Sequence, residues 1–317
     1  MEENQISWSR LRQSKTLLLI STFVAILILI PSYPPTQFSN AVIVTISPGT
    51  TISDAGEILV QAGVVKNATF FRIINSFGVI HAGTYLFERP QNMFVVAHRV
   101  RNGVYGFMPI RITFPEGNTA RDMARRITEK FPHISAEEFL NEARPYEGYL
   151  FPDTYLFMPP VSPTEIVDTM RENFDKKTSF LTPEALAGRT LSDVIIMASL
   201  IEKEARTKEV RHLISGILWN RLEIGMPLQV DAVFGYIFNT DTYSPSFSDL
   251  KVDSPYNTYT HRGLPPGPIS NPGIESINAA RGPTKTHYLY YLTGNDGKMH
   301  YASTYAGHQE NQRHFLK

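Results

Sequence analysis

The segment Thr190–Glu204, TLSDVIIMASLIEKE, carries the strongest helix signal in the 317-residue chain. Thr190 and Asp193 have the Ser/Thr-x-x-Asp/Glu spacing that caps helix N-termini. The run Val194–Ile201 is too apolar for a surface helix, so we expect this helix to lie inside a domain. Two carboxylates, in Glu202-Lys-Glu204, follow the buried run directly.

These two carboxylates point to different sides of the predicted helix. Steps of about 100° per residue place them about 200° apart, so they cannot act on one bond as a close pair. Ala198 and Ser199 share the face of Glu202, and such small residues would let a substrate approach. A buried setting also favours the protonated form that a general acid needs. Glu202 is therefore the candidate catalytic acid, and an ordinary salt bridge to Arg206 at i+4 is the alternative on spacing alone.

A membrane segment is predicted near the N-terminus. The run Thr16–Ile30 carries no charge, and residues 16–33 together have about the length of one bilayer crossing at roughly 1.5 Å per residue. Basic residues precede the run and no basic cluster follows it early, so the positive-inside rule puts residues 1–15 in the cytoplasm and the rest of the chain outside. A cleaved signal peptide is the alternative, but Pro-Ser-Tyr-Pro-Pro is a poor cleavage site.

One sequence pattern occurs twice after this segment. Val44–Asp54 aligns with Ile112–Asp122, and each copy reads as a strand, a Gly turn, a Thr N-cap and a helix. We expect returning strands at Gly83–Phe87 and Gly148–Phe151. Strand–helix units with returning strands predict a small α+β module that ends near residue 145.

The composition excludes several classes of function. The 30 Lys and Arg balance 30 Asp and Glu, so no general positive field is available to attract nucleic acid. The absence of Cys rules out disulfides, thiolate metal sites and cysteine nucleophiles. The nine His lack the spacing of a zinc site, and no Gly-rich loop of the phosphate-binding type occurs. We therefore expect no metal and no cofactor.

The loops downstream of the predicted helix are rich in Pro, Gly, Asn and Tyr. Such loops are rigid and pack poorly in a core, but they suit carbohydrate, because sugar faces lie on aromatic rings and sugar hydroxyls need amide and carboxylate partners. The segments are Leu228–Asp231, Ser254–Tyr259, Gly263–Gly267 and Asn271–Gly273.

The chain resembles the endolytic murein transglycosylase family, the YceG-like or MltG proteins, in these segments and in three earlier ones: Glu147–Tyr155, Ala198–Glu204 and Trp219–Met226. The order and spacing of the segments also fit that family. The resemblance covers essentially the whole chain after the apolar segment and implies an α+β fold. The implied layout is a cytoplasmic tail (1–15), a single transmembrane helix (16–33), a linker (34–41), a LysM-like α+β module (42–145) and an α+β catalytic domain (146–317).

The resemblance implies a membrane-anchored lytic transglycosylase. Such an enzyme cuts nascent peptidoglycan strands between N-acetylmuramic acid and N-acetylglucosamine and leaves 1,6-anhydro ends. Glu202 is implied to protonate the glycosidic oxygen and then to take the proton of the C6 hydroxyl that attacks C1. Gln229, Asp231, Asn257 and Tyr259 match motif positions and are the candidates for orienting the sugar. The implied location is the bacterial inner membrane, with wall synthases of elongation or division as partners.

Two other functions stay open from sequence. A hydrolytic muramidase would use water in place of the C6 hydroxyl, with Asp231 or Asp153 as a second acid, as two-carboxylate glycosidases do. A non-catalytic scaffold would bind peptidoglycan through the LysM-like module and tether a biosynthetic complex.

Overall fold

The computed structural model describes residues 13, 15–22, 32–36, 38, 41–240 and 244–316. Residues 15–22 are helical. Residues 23–31 of the predicted membrane helix, and nearly all of the predicted cytoplasmic tail, lie outside the described residues. Within the described part of the chain, no helix combines the length and apolar character needed to cross a bilayer.

From residue 42 onward, short strands and helices are mixed along the chain, which confirms the predicted α+β class. Their order is β1 (Val42–Ile46), α1 (Ile52–Gln61), α2 (Ala68–Ile74), β2 (Gly83–Phe87), α3 (Met93–Asn102), β3 (Ile110–Thr113), α4 (Ala120–Lys130), α5 (Ala136–Ala143), β4 (Thr154–Phe157), α6 (Pro163–Lys177), α7 (Leu191–Glu204), α8 (Lys208–Glu223), α9 (Ala232–Phe238), α10 (Ile274–Arg281), β5 (Tyr290–Thr293), β6 (Met299–Ala302) and α11 (Tyr305–Phe315).

The chain divides into two compact units. Unit 1 is Met1–Met108 with Met158–Pro160, and unit 2 is Pro109–Phe157 with Val161–Lys317. The domain boundary predicted at residue 145 therefore falls inside unit 2. The physical reason is that β3 pairs antiparallel with β4. In addition, α4, α5 and α6 bury their apolar side chains in one cluster with these two strands.

Unit 1 is built around an antiparallel pair of strands. β1 pairs with β2 in the register Val44↔Tyr85. Alternate side chains of both strands enter a core to which all three helices α1, α2 and α3 contribute, with Leu59, Phe71 and Val96 fully buried. The alternation of buried and exposed positions along β1 is what a strand with one solvated face requires.

The repeated sequence pattern corresponds to a repeated structure. Thr51 and Thr119 cap α1 and α4, and their hydroxyls accept from the N–H groups of Asp54 and Asp122 at 3.2 Å in each copy. The Asp122 carboxylate also accepts from the Thr119 N–H at 2.8 Å, which completes a capping box.

The second returning strand lies at Thr154–Phe157, and the prediction of a strand at Gly148–Phe151 was wrong. Both true returning strands contain the sequence TYLF. The backbone before β4 is held by another part of the chain: the side-chain oxygen of Asn271 accepts from the N–H groups of Gly148 and Leu150, at 2.8 and 3.0 Å. A side chain more than 100 residues away thus takes the donors that a strand partner would otherwise use.

Helix α7 forms the centre of the larger core of unit 2, as predicted. Thr190 and Asp193 form the expected capping box. Every side chain of Val194–Ile201 is buried, and α7 packs against α8, α9 and α10. The helix ends at Glu204 because Ala205 is extended, with φ −132° and ψ 137°. The last turn of this rigid helix therefore fixes the position of both candidate carboxylates.

Candidate active site

Glu202 is bound on both carboxylate oxygens by groups of its own chain. Arg211 Nη2 donates to Oε1 at 2.8 Å, and the Gly273 N–H donates to Oε2 at 2.9 Å. The side chain is only 5% exposed. Glu202 thus forms an ion pair, but its partner is Arg211 of α8, and the pairing with Arg206 that the sequence spacing suggested was wrong. Arg206 lies beyond the end of α7, since Ala205 is already extended.

The small residues beside Glu202 admit a loop of the protein itself. Ser199 Oγ accepts from the Ile269 N–H at 3.1 Å, and the Ser270 hydroxyl lies 3.4 Å from the Ser199 carbonyl oxygen. The loop then continues to Gly273, which binds Glu202. Residues 269–273 of the chain itself therefore occupy the space beside Ser199 and Glu202 in which we expected a substrate to lie.

Glu204, on the opposite side of α7, lines two neighbouring cavities. Cavity A has a volume of about 350 Å³ and is also lined by Arg121, Tyr236 and Asn239. Cavity B has a volume of about 420 Å³ and contains most of the aromatic and amide groups of the site. Asp231 lines both cavities, whereas Glu202 lines neither of them. Glu204 and Asp231 are therefore carboxyl groups that the two cavities share.

The surroundings of Glu204 raise the pKa of its carboxyl group. Burial is the largest cause, and the nearby Asp231 charge acts in the same direction. The Tyr291 hydroxyl, which donates to Glu204 Oε2 at 3.1 Å, lowers this pKa, but burial outweighs it. Burial also raises the pKa of Tyr291 well above its usual value, so Tyr291 stays a proton donor to the carboxyl group. The site favours a protonated Glu204.

Three of the four predicted sugar-orienting residues lie together. Gln229, Asp231 and Tyr259 all line cavity B, and the Tyr259 hydroxyl donates to Asp231 Oδ1. Gln229 has a φ of 50°, a conformation that non-glycine residues rarely adopt and that often marks functional positions.

Asn257, the fourth predicted residue, corrects the sequence interpretation. It is fully buried, and its amide donates to the carbonyl oxygens of Leu250 and Val252 at 3.1 and 2.9 Å. Its side-chain oxygen accepts from the Tyr259 N–H at 3.0 Å. Because all its polar atoms are used inside the loop, Asn257 positions Tyr259 and has no surface to offer a sugar.

Sequence reasoning missed several groups of cavity B. Tyr290, Tyr291, Tyr305 and His308 come from the β5–β6 hairpin and α11. Arg221, from α8, holds them in place: its guanidinium donates to the Leu289 carbonyl oxygen and lies 5.5 Å from the centre of the Tyr290 ring. The aromatic run Tyr288-Leu-Tyr-Tyr291 was the available signal.

Glu147 and Asn271 form a polar link between the start of α4 and the loop at 269–273. Both carboxylate oxygens of Glu147 lie 3.1 Å from the Ala120 N–H at the start of α4, and Asn271 Nδ2 donates to Oε1 at 2.8 Å. Burial raises the pKa of Glu147 to about 7. This link holds α4, which carries Arg121, against the loop that contains Asn271.

We expect Glu147 to make stability fall as pH rises from about 4.5 to about 7, the interval between its ordinary and its raised pKa. In this interval the unfolded chain has released the proton while the folded protein retains it, so the free energy of unfolding decreases, by about 3 kcal/mol in total. Urea unfolding of the native protein and of Glu147→Gln at a series of pH values checks this. A difference between the two proteins that stays constant with pH would contradict it.

The described residues contain no group of three or more His, Asp or Glu side chains arranged to hold a metal ion. The walls that cavities A and B share offer the Glu204 carboxyl group with its raised pKa and the carboxyl group of Asp231, and cavity B adds several tyrosines.

The chain is similar to known proteins over most of its length. The sequence profile of the YceG-like family matches residues 44–314. A protein of Bacillus subtilis (strain 168) named endolytic murein transglycosylase is 29% identical over 304 residues, 86% of this chain and 84% of that protein. A protein with the same name from Streptococcus pneumoniae serotype 2 (strain D39 / NCTC 7466) is 27% identical and covers 85% of this chain, which spans only 57% of that longer protein.

The fold is also similar to a solved structure. The crystal structure of a YceG-like protein from Listeria monocytogenes matches with a TM-score of 0.58 and 30% sequence identity, over 86% of this chain and 99% of that one. Sequence and fold agree, and since the family profile extends over residues 44–314, this chain belongs to the YceG-like family.

Proposed function

We propose that this protein is a lytic transglycosylase that cleaves peptidoglycan glycan strands, and that Glu204, in place of Glu202, is its general acid and base. The names of the similar proteins from Bacillus and Streptococcus support the reaction class. The observation that carries the assignment of the acid is the position of Glu204 on the wall of both cavities A and B. Glu202 is the weaker candidate, because Arg211 and Gly273 occupy both its oxygens.

The two cavities suit a polymer that continues on both sides of the cleaved bond. Cavity B offers the rings of Tyr259, Tyr290 and Tyr305 for sugar faces, together with the amide of Gln229 for hydroxyls. Cavity A extends the groove beyond Glu204. A groove with sugar sites on both sides of the acid fits cleavage within a strand.

Glu204 can supply the whole proton chemistry of the reaction. Protonated Glu204 gives its proton to the glycosidic oxygen between N-acetylmuramic acid and N-acetylglucosamine as the bond to C1 breaks. The resulting carboxylate then accepts the proton of the muramoyl C6 hydroxyl as that oxygen bonds to C1, which closes the 1,6-anhydro ring. No water is consumed and Glu204 ends protonated, so a second catalytic carboxyl is unnecessary. Its raised pKa favours the starting state.

The proposed substrate places the catalytic part of the chain outside the cytoplasm. We propose residues 16–33 as a single-pass anchor in the cytoplasmic membrane, preceded by a cytoplasmic tail (1–15) and followed by a linker (34–41). Residues from 42 onward would then meet newly made glycan strands close to the membrane, where cell-wall synthases of elongation or division work.

Digestion of purified peptidoglycan tests cleavage and its position in the strand. We expect the full-length protein to shorten glycan strands from the middle, so that the average strand length falls before disaccharides accumulate. The measurement is the length distribution of strands by chromatography over time. Release of disaccharides alone would contradict internal cleavage, and binding without any change in length would favour the scaffold function.

A further inference from the structure

A third cavity extends the groove beside Glu204. Cavity C has a volume of about 410 Å³, and its lining includes Asp122 and Lys203, which also line cavity A. The rest of its wall comes from α4 and the loop before it: Asn118, Arg125, Arg126 and Glu129. Cavity C is therefore a side branch of the groove that contains the proposed acid.

The lining of cavity C carries three cations, Arg125, Arg126 and Lys203, and two carboxylates, Asp122 and Glu129, so its net formal charge is positive. Asp122 is already engaged, because it accepts from the Thr119 N–H and hydroxyl and from Arg125, and these bonds lower its pKa. Among the residues that the structure describes, neither Arg126 nor Lys203 forms an ion pair with a carboxylate. These two cations without a carboxylate partner give cavity C a local positive charge, although the net charge of the chain is zero.

Lys203 lines both cavity C and cavity A. It is the residue directly before Glu204 in the last turn of α7. Its side chain lies across Gly117, with Nζ about 3.7 Å from the position that a Cβ atom of Gly117 would occupy. Because Lys203 also lines cavity A together with Glu204, an anion bound to Lys203 would lie in the part of the groove that contains the proposed acid.

We infer that cavity C binds carboxylates of the stem peptide carried by the muramic acid residue next to the cleaved bond. This inference rests on the proposed function. The peptide is joined to the lactyl group on the same sugar ring whose C1 reacts, so a side branch at the acid is where the peptide must leave the groove. Arg126 can bind a carboxylate through two N–H groups, and Lys203 adds a point charge. The enzyme then prefers strands that still bear peptides.

The test compares two substrates: peptide-bearing strands, and the same strands after an amidase has removed the peptides. For Arg126→Gln we expect KM on peptide-bearing strands to rise about 3- to 10-fold, because the variant loses one partly exposed charged contact with the peptide. kcat and cleavage of peptide-free strands should not change. Arg111→Gln is the matched control, because Arg111 is exposed on β3, away from cavity C, and should leave both substrates unaffected.

Two further measurements distinguish loss of peptide binding from loss of folding. The preference of the native protein for peptide-bearing strands should shrink as salt is raised, because exposed charge pairs are screened. Thermal unfolding of Arg126→Gln should match that of the native protein, because Arg126 is exposed. Equal effects of Arg126→Gln on both substrates, or none, would overturn the inference while leaving the proposed function intact. Failure of the native protein to cleave either substrate would overturn both.

Discussion

Replacing Glu204 with Gln should lower the rate of glycan cleavage by about 10²- to 10⁴-fold, the usual contribution of a general acid or base. Gln has nearly the same shape and can still accept the hydrogen bond from Tyr291, so the fold of unit 2 should persist. It cannot deliver a proton to the leaving oxygen. The cleavage rate on peptidoglycan checks the loss of activity, and thermal unfolding of the same preparation checks that the fold persists.

Glu202→Gln is the matched control for this experiment, since it changes the neighbouring carboxylate of the same helix turn. We expect it to keep the cleavage rate within about tenfold and to lose about 1–3 kcal/mol of stability, because Arg211 loses its charged partner. If Glu202→Gln is inactive and Glu204→Gln remains active, the catalytic residue is Glu202 and the proposal is wrong.

Replacing Asn271 with Ala should destabilise unit 2 by about 3–5 kcal/mol, the upper range for single substitutions. The fully buried side chain accepts from the Gly148 and Leu150 N–H groups and donates to the Asn118 carbonyl oxygen and to Glu147. Ala leaves these groups without partners in a site that water does not reach. Urea unfolding, followed by circular dichroism, measures the loss.

Asn141→Ala is the control for this prediction, because Asn141 is exposed on α5 in the same unit. Its substitution should change the free energy of unfolding by less than about 0.5 kcal/mol. Similar losses for the two variants would show that the buried hydrogen bonds of Asn271 do not hold the β4 region to the loop at 269–273.

Features that depend on neighbouring residues were predictable from sequence. The capping box at Thr190 and the apolar run after it specified α7, because both signals lie within one helix. The paired Thr caps specified the repeated strand–turn–helix units in the same way. Helix geometry also gave the opposite directions of Glu202 and Glu204, since these depend on the angle between residues and nothing else.

The choice between the two carboxylates was not predictable in this way. Small residues beside Glu202 allow close approach, but sequence does not say whether a substrate or the chain itself approaches. Here the loop that reaches Ser199 and Glu202 lies about 70 residues further along the chain. The partner of Glu204, Tyr291, is likewise remote, and Asn257 was assigned to the sugar because motifs do not report burial.

The end groups of the cleaved strands test the proposed mechanism most directly. Native protein digests peptidoglycan in water enriched in oxygen-18, and mass spectrometry of the products distinguishes the two possible nucleophiles. If the C6 hydroxyl attacks C1, the products carry 1,6-anhydro-muramic ends and no oxygen-18. Reducing muramic ends that contain oxygen-18 would contradict the single-acid mechanism and would show that water is the nucleophile.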